Sequence, residues 1–186
     1  MHDATQELKT RASILHAHIE SGDPAALARL KKLPQFRKAP PEDLRAAQFN
    51  IQHQDCLNVI AAEWGFPSWP EAKRVLSGEA IAPANFGNLL CPPHCATHLN
   101  HWTVDYGQAA ALRAERGAYL LAYRTQYFLV ERFFIKDLGL DPDDPDWREM
   151  GFDWAKPSNL EARTRLYSKL VAKLPREAAT PAKGEG

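Results

Sequence analysis

The chain has little of what marks a membrane, secreted or nucleic-acid-binding protein. No run of eighteen or more apolar residues occurs, so there is no candidate transmembrane helix. The amino terminus, Met1-His2-Asp3, opens on polar, helix-forming residues rather than on a basic start followed by an apolar run, and a cytoplasmic location is expected. Charge of one sign is not in excess: 23 Lys and Arg face 23 Asp and Glu, with ten of each sign in residues 1–80 and thirteen of each beyond. A nucleic-acid surface needs a basic face, so that partner class is set aside together with membranes. Three cysteines, an odd number, do not make a disulfide framework and are expected to be reduced.

Chemical motifs are scarce as well. The sequence holds no glycine-rich phosphate loop, no Gly-x-Ser-x-Gly elbow, no His-Glu-x-x-His helix and no Cys-x-x-Cys pair, which argues against nucleotide-dependent and serine-hydrolase chemistry. Asn-Gly and Asp-Gly hairpin turns are missing too, and no clean alternation of apolar and polar residues is found, whereas apolar spacing near 3.6 recurs throughout. An all-α fold is the expectation. It divides into an amino-terminal helical module over residues 1–78, a linker over 79–88, a carboxy-terminal helical hairpin with an added packed helix over 89–176, and a frayed tail over 177–186.

Within the first module, Leu8, Ala12, Leu15 and Ile19 form the stripe of a helix from about Ala4 to Glu20. Asp23 then caps a short helix that has Pro24 at its first position. Pro34, Pro40 and Pro41 bound a connection. A helix from about Gln52 to Trp64 stops at Gly65, and Ser68 caps another that carries Trp69, Ala72, Val75 and Leu76. In the second half, helices are expected over about 92–116 and 118–138, a short turn at Trp147 behind an Asp144 cap, and a last helix over 158–174 capped by Ser158.

The stretch Ser21-Gly-Asp-Pro-Ala-Ala-Leu-Ala-Arg-Leu, followed by Asp55-Cys-Leu-Asn-Val-Ile-Ala-Ala-Glu-Trp-Gly-Phe-Pro-Ser-Trp-Pro-Glu-Ala-Lys, resembles a small helical module at the amino terminus of some bacterial ankyrin-repeat and glyoxalase-related proteins. The resemblance covers roughly residues 5–78, and Gly65 to Pro70 is its most specific part. It implies a bacterial origin and a helical accessory domain, and it carries no catalytic residues.

What is concentrated is sulfur and imidazole. From Cys91 to His101, eleven residues hold two of the three cysteines and three of the seven histidines. On a helix, Cys91, Cys95, His98 and Trp102 share one stripe, and His94, His98, His101 and Asp105 share the next. Ligands four apart lie about 6 Å apart along the axis, close enough for one ion. Cys91, His94, Cys95, His98, His101 and Asp105 are therefore the candidate metal ligands. Zn(II) is the leading ion, with a structural or regulatory role; Cu(I) also suits thiolate and imidazole, and a His98, His101, Asp105 set leans toward Fe(II) or Mn(II). The bland alternative makes Cys95, Leu99, Trp102 and Tyr106 a core stripe that the histidines only border.

A second helix would bring Leu120, Arg124, Tyr127, Glu131, Phe134 and Leu138 to one face. An enzyme reading then places Glu131 beside the histidines as ligand or base, Arg124 on an anionic substrate and Tyr127 as proton donor. A third reading is a metal-free adaptor, with a protein or a small molecule as partner. His53 and Cys56, three apart, are remote candidates that could contribute if the two domains pack together, whereas His16 and His18, two apart, point to different sides of their helix; the aspartates of Asp141 to Asp146 read as helix caps rather than as a calcium loop. Tyr119, Tyr123, Tyr127, Phe128, Phe133, Phe134, Trp147, Phe152 and Trp154 read as core first and as walls for a flat ligand second.

Overall fold

Side-chain caps set where the amino-terminal helices begin. The computed structural model describes residues 3–95 and 97–173. The Asp3 carboxylate accepts the Thr5 N–H at the start of α1 (Ala4–Glu20), and Asp23 accepts that of Ala25 at the start of α2 (Pro24–Arg29). The stretch expected as a connection contains a short α3 (Pro41–Ala47). A reciprocal cap between Gln52 and Asp55 opens α4 (His53–Glu63), and the Ser68 hydroxyl opens α5 (Trp69–Leu76). Leu8, Ala12, Leu15 and Ile19 of α1 are fully buried, as are Cys56, Val59 and Ile60 of the neighbouring α4.

The second half departs from the all-α expectation. The chain forms β1 (His101–Thr103), α6 (Tyr106–Arg116), β2 (Tyr119–Tyr123) and β3 (Gln126–Val130), and the three strands make an antiparallel sheet in the order β1-β3-β2. The fold is mixed α and β. Trp102 pairs with Phe128, which pairs in turn with Leu121, and Thr103 pairs with Tyr127, which pairs in turn with Ala122.

Two features make these strands read as helix in the sequence. The run Tyr119 to Val130 is aromatic and apolar with little alternation, because β3 is buried along nearly its whole length; such a run reads equally well as a helix. Its turn is Arg124-Thr125, with Arg124 at φ 52 where glycine or asparagine is the usual signal. Further upstream, the expected helix from residue 92 is a single tight turn at Pro93–Cys95, and α6 starts only where the Asp105 carboxylate accepts the Gln108 N–H. Between them, His101-Trp102-Thr103 is β-prone and finds β3 as partner. Gly117 at φ 64 ends α6 and releases the chain into β2.

α6 covers the sheet face that carries Leu120, Tyr127 and Leu129, with Tyr106 edge-on to Tyr127 at 5.7 Å. The other face carries Trp102, Phe128, Leu121 and Tyr119. α7 (Arg132–Asp137) lays Phe134 edge-on against Phe128 at 5.7 Å. α8 (Pro145–Glu149), capped by Asp144, brings Trp147 onto Tyr119 at 5.0 Å. Leu120 bridges to Asp153 in parallel, which extends the β2 edge.

α9 (Leu160–Lys173) is opened by the Asn159 side chain rather than by Ser158, whose hydroxyl bonds the Glu149 carbonyl. Its fully buried Arg163 donates to the carbonyls of Trp154, Gly78 and Ala80, and burial pulls its pKa below the usual arginine value. Arg165 and Lys169 of α9 bind Asp146 of α8 at 2.7 Å each.

The segment expected as a linker is packed. Ala80, Ala82 and Phe86 are buried, as are Leu89 and Leu90 just beyond it, and the buried apolar cluster runs through them from α1 to α9. Phe86 N–H donates to the Arg124 carbonyl and Arg124 N–H to that of Gly87, so this segment holds the hairpin turn from both sides. A Cβ at Gly87 would lie 2.5 Å from the Trp64 carbonyl and 2.8 Å from the Phe66 ring, which only glycine avoids. At the far end, Arg11 of α1 pairs with Glu7 at 3.2 Å, donates to the Val171 carbonyl of α9 and lies over Trp64. The expected tail lies outside the described residues.

Candidate functional site

Because residues 91–105 are not one helix, the helical stripes proposed for the metal ligands do not exist. Cys91 is half-buried and Cys95 fully buried, with the Cys95 N–H closing the turn onto the Pro92 carbonyl. Burial pushes the Cys95 thiol up to about 11, helped by Cys91 and Asp137, and burial raises Cys91 as well. Both are neutral thiols at neutral pH. His94 Nε2 lies 3.1 Å from the Asp137 carbonyl, and His98 Nε2 lies 2.7 Å from the Asp137 carboxylate. Asp137 at the end of α7 thus gathers both imidazoles, a role that no sequence signal announced across 39 residues.

The other candidates scatter. His101 is exposed on β1 and lines a cavity of about 210 Å³ with His98, Arg116 and Glu131. Asp105 is spent as the α6 cap. Tyr127 is buried beneath α6, where burial and nearby Asp153 raise its pKa. Arg124 stands in the hairpin turn. The set of Glu131, Arg124 and Tyr127 drawn from one helix face is not brought together. Among the described residues, no group of three or more His, Cys, Asp or Glu is placed to hold a metal ion.

The remote candidates are engaged locally. His16 bonds the Ile51 carbonyl, His53 the Ser13 hydroxyl, and His18 lies 3.3 Å from Asp23. Burial, helped by Asp55, raises the Cys56 thiol to about 11. The aspartate-rich loop is occupied by protein cations: Asp143 by Arg132, Asp144 by Lys169, and Asp146 by Arg165 and Lys169.

A different site forms where the two halves meet. Trp64 and Glu63 at the end of α4, Asn88 and Leu89, then Cys91, Pro92 and Pro93, and Trp102 and Tyr123 on the sheet surround a cleft of about 620 Å³. Trp102 stacks on Phe128 at 4.3 Å and meets Tyr123 edge-on at 5.9 Å, yet remains 41% exposed. The core-stripe alternative fares no better, since Leu99 is fully exposed. Both oxygens of the cleft's carboxylate, Glu63, are taken at 2.8 Å by Arg29, so its charge is neutralised. Of the aromatic residues considered from the sequence as ligand walls, only Tyr123 lines this cleft; Tyr119, Tyr127, Phe128, Phe134, Trp147 and Trp154 are buried.

No protein-family model, curated protein or solved structure matches the chain. No helix among the described residues is long and apolar enough to cross a membrane.

Proposed function

We propose that this chain binds a flat small molecule in the cleft between its helical and sheet halves. One observation carries the reading: Trp64, Trp102 and Tyr123, from three separate elements, converge on one cleft of about 620 Å³ while Trp102 stays 41% exposed. Aromatic side chains left open at such a junction suit a planar partner, and a cleft of this size suits a small molecule. A second reading rests on the meeting of His94 and His98 at Asp137 beside the Cys91 and Cys95 thiols. There a transition metal such as zinc would have to draw the imidazoles off Asp137 and deprotonate buried thiols, so its uptake would be slow and pH-dependent.

One set of calorimetric titrations tests both. 2-Naphthol, a flat neutral probe, is expected to bind the wild type, and Trp102→Ala to weaken it about tenfold with far-UV circular dichroism unchanged. Undetectable binding to wild type at millimolar probe, or equal binding by Trp102→Ala and Trp64→Leu, overturns the cleft reading. Zinc added to reduced protein at pH 8 is expected to release protons under the second reading; no heat and no shift in melting temperature sinks it.

A further inference from the structure

We infer that the cleft selects a planar aromatic molecule bearing an anionic group, with Arg124 as the residue that sets this preference; the inference rests on the cleft reading above. The other charged groups around the site are matched. Glu63, the one carboxylate among the lining residues, is matched by Arg29 in a two-point ion pair. Arg11, behind Trp64, is matched by Glu7. The lining thiol, Cys91, is neutral at neutral pH, burial holding it above its usual range. What remains is Arg124. Its guanidinium lies 5.5 Å from the centre of the Tyr123 ring, which forms part of the wall, and no ion pair engages it among the described residues.

The backbone beneath Arg124 supports the same conclusion. Its φ of 52 is a conformation that glycine or asparagine holds at less cost, at the first turn position of a two-residue hairpin. The position is also fixed rather than loose, because its N–H and carbonyl both bond the 86–87 segment at 2.7 and 2.9 Å. A long charged side chain on a strained but anchored turn, stacked on an aromatic wall, is preorganised to meet an anion without reordering. The excess positive charge near the cleft disfavours a cationic ligand, even though tryptophan faces alone would accept one.

Three probes of one shape separate the terms: 2-naphthoate, 2-naphthol and 2-naphthylmethylamine, each titrated calorimetrically into the wild type, Arg124→Gln and Arg124→Lys. The wild type is expected to bind the carboxylate about five- to tenfold more tightly than the neutral probe, and the amine most weakly. In Arg124→Gln the carboxylate advantage disappears while 2-naphthol affinity holds, and Arg124→Lys keeps part of it. In the wild type the advantage also shrinks as salt is raised. Equal binding of carboxylate and neutral probe by wild type, or an advantage that survives Arg124→Gln, overturns the inference and leaves the cleft standing. If no probe binds at all, the cleft reading falls first.

Discussion

The helical half and the sheet half reach order by different routes. Helices α1, α2, α4 and α5 each start at a cap supplied by a neighbour two or three residues away, so their limits are written locally. The sheet depends on partners far along the chain: β1 on β3, the hairpin turn on residues 86 and 87, and β2 on Asp153. Local ordering is cheap in loop entropy, whereas distant pairing is specified only by the whole fold. The cleft lies on the boundary between the two.

The largest test of this contrast is in the core. Phe128→Ala, at a fully buried site in the central strand, is expected to cost about 3–5 kcal/mol in urea unfolding and to weaken 2-naphthol, because Trp102 loses the ring it stacks on. Leu15→Ala in α1 is expected to cost about 2–5 kcal/mol and leave naphthol affinity intact. Equal effects on binding would erase the distinction.

A middle-sized effect concerns pH and should be shared by both halves. Cys56 and Cys95 are each pushed to about 11 by burial, so the folded chain keeps protons that the unfolded chain gives up near pH 9. Stability is thus fully present below pH 9 and declines as pH rises toward 11, by about 2 kcal/mol per group. Unfolding free energies of Cys56→Ala and Cys95→Ala measured between pH 8 and about 11 should each show a shallower alkaline decline than wild type. A parallel decline in either variant assigns the loss to the buried tyrosines instead.

The smallest effects lie at single turns and carry opposite signs. Ser68→Ala removes the α5 cap and is expected to cost about 1 kcal/mol. Arg124→Gly relieves the positive φ and is expected to change stability by less than about 1 kcal/mol, in the stabilising direction. Thermal unfolding of the two variants side by side measures both.

Legibility in the sequence follows the same division. Asp3, Asp23 and Ser68 stand next to the helices they start, and the α1 stripe of Leu8, Ala12, Leu15 and Ile19 is buried as its spacing requires. The strands were hidden because Leu120, Tyr127 and Phe134 also fit a helix face, and because Arg124-Thr125 carries no turn signature. Of the cleft, Cys91, Trp102 and Tyr123 could be noticed as residues, but nothing in their spacing brings them to Trp64. Asp137 escaped for the same reason: its two imidazoles reach it only after α7 has folded beside the Pro93–Cys95 turn.

The contact between Arg11 and the Val171 carbonyl spans 160 positions. During synthesis α1 leaves the ribosome with its apolar stripe in place, yet the residue whose carbonyl receives Arg11 follows 160 positions later. Until α9 docks, the first helix exposes a surface meant for the interior, and apolar surface exposed in that way favours aggregation. A ribosome stalled before residue 160 would carry a chain that lacks α9 and leaves the side of α1 that α9 covers open to water.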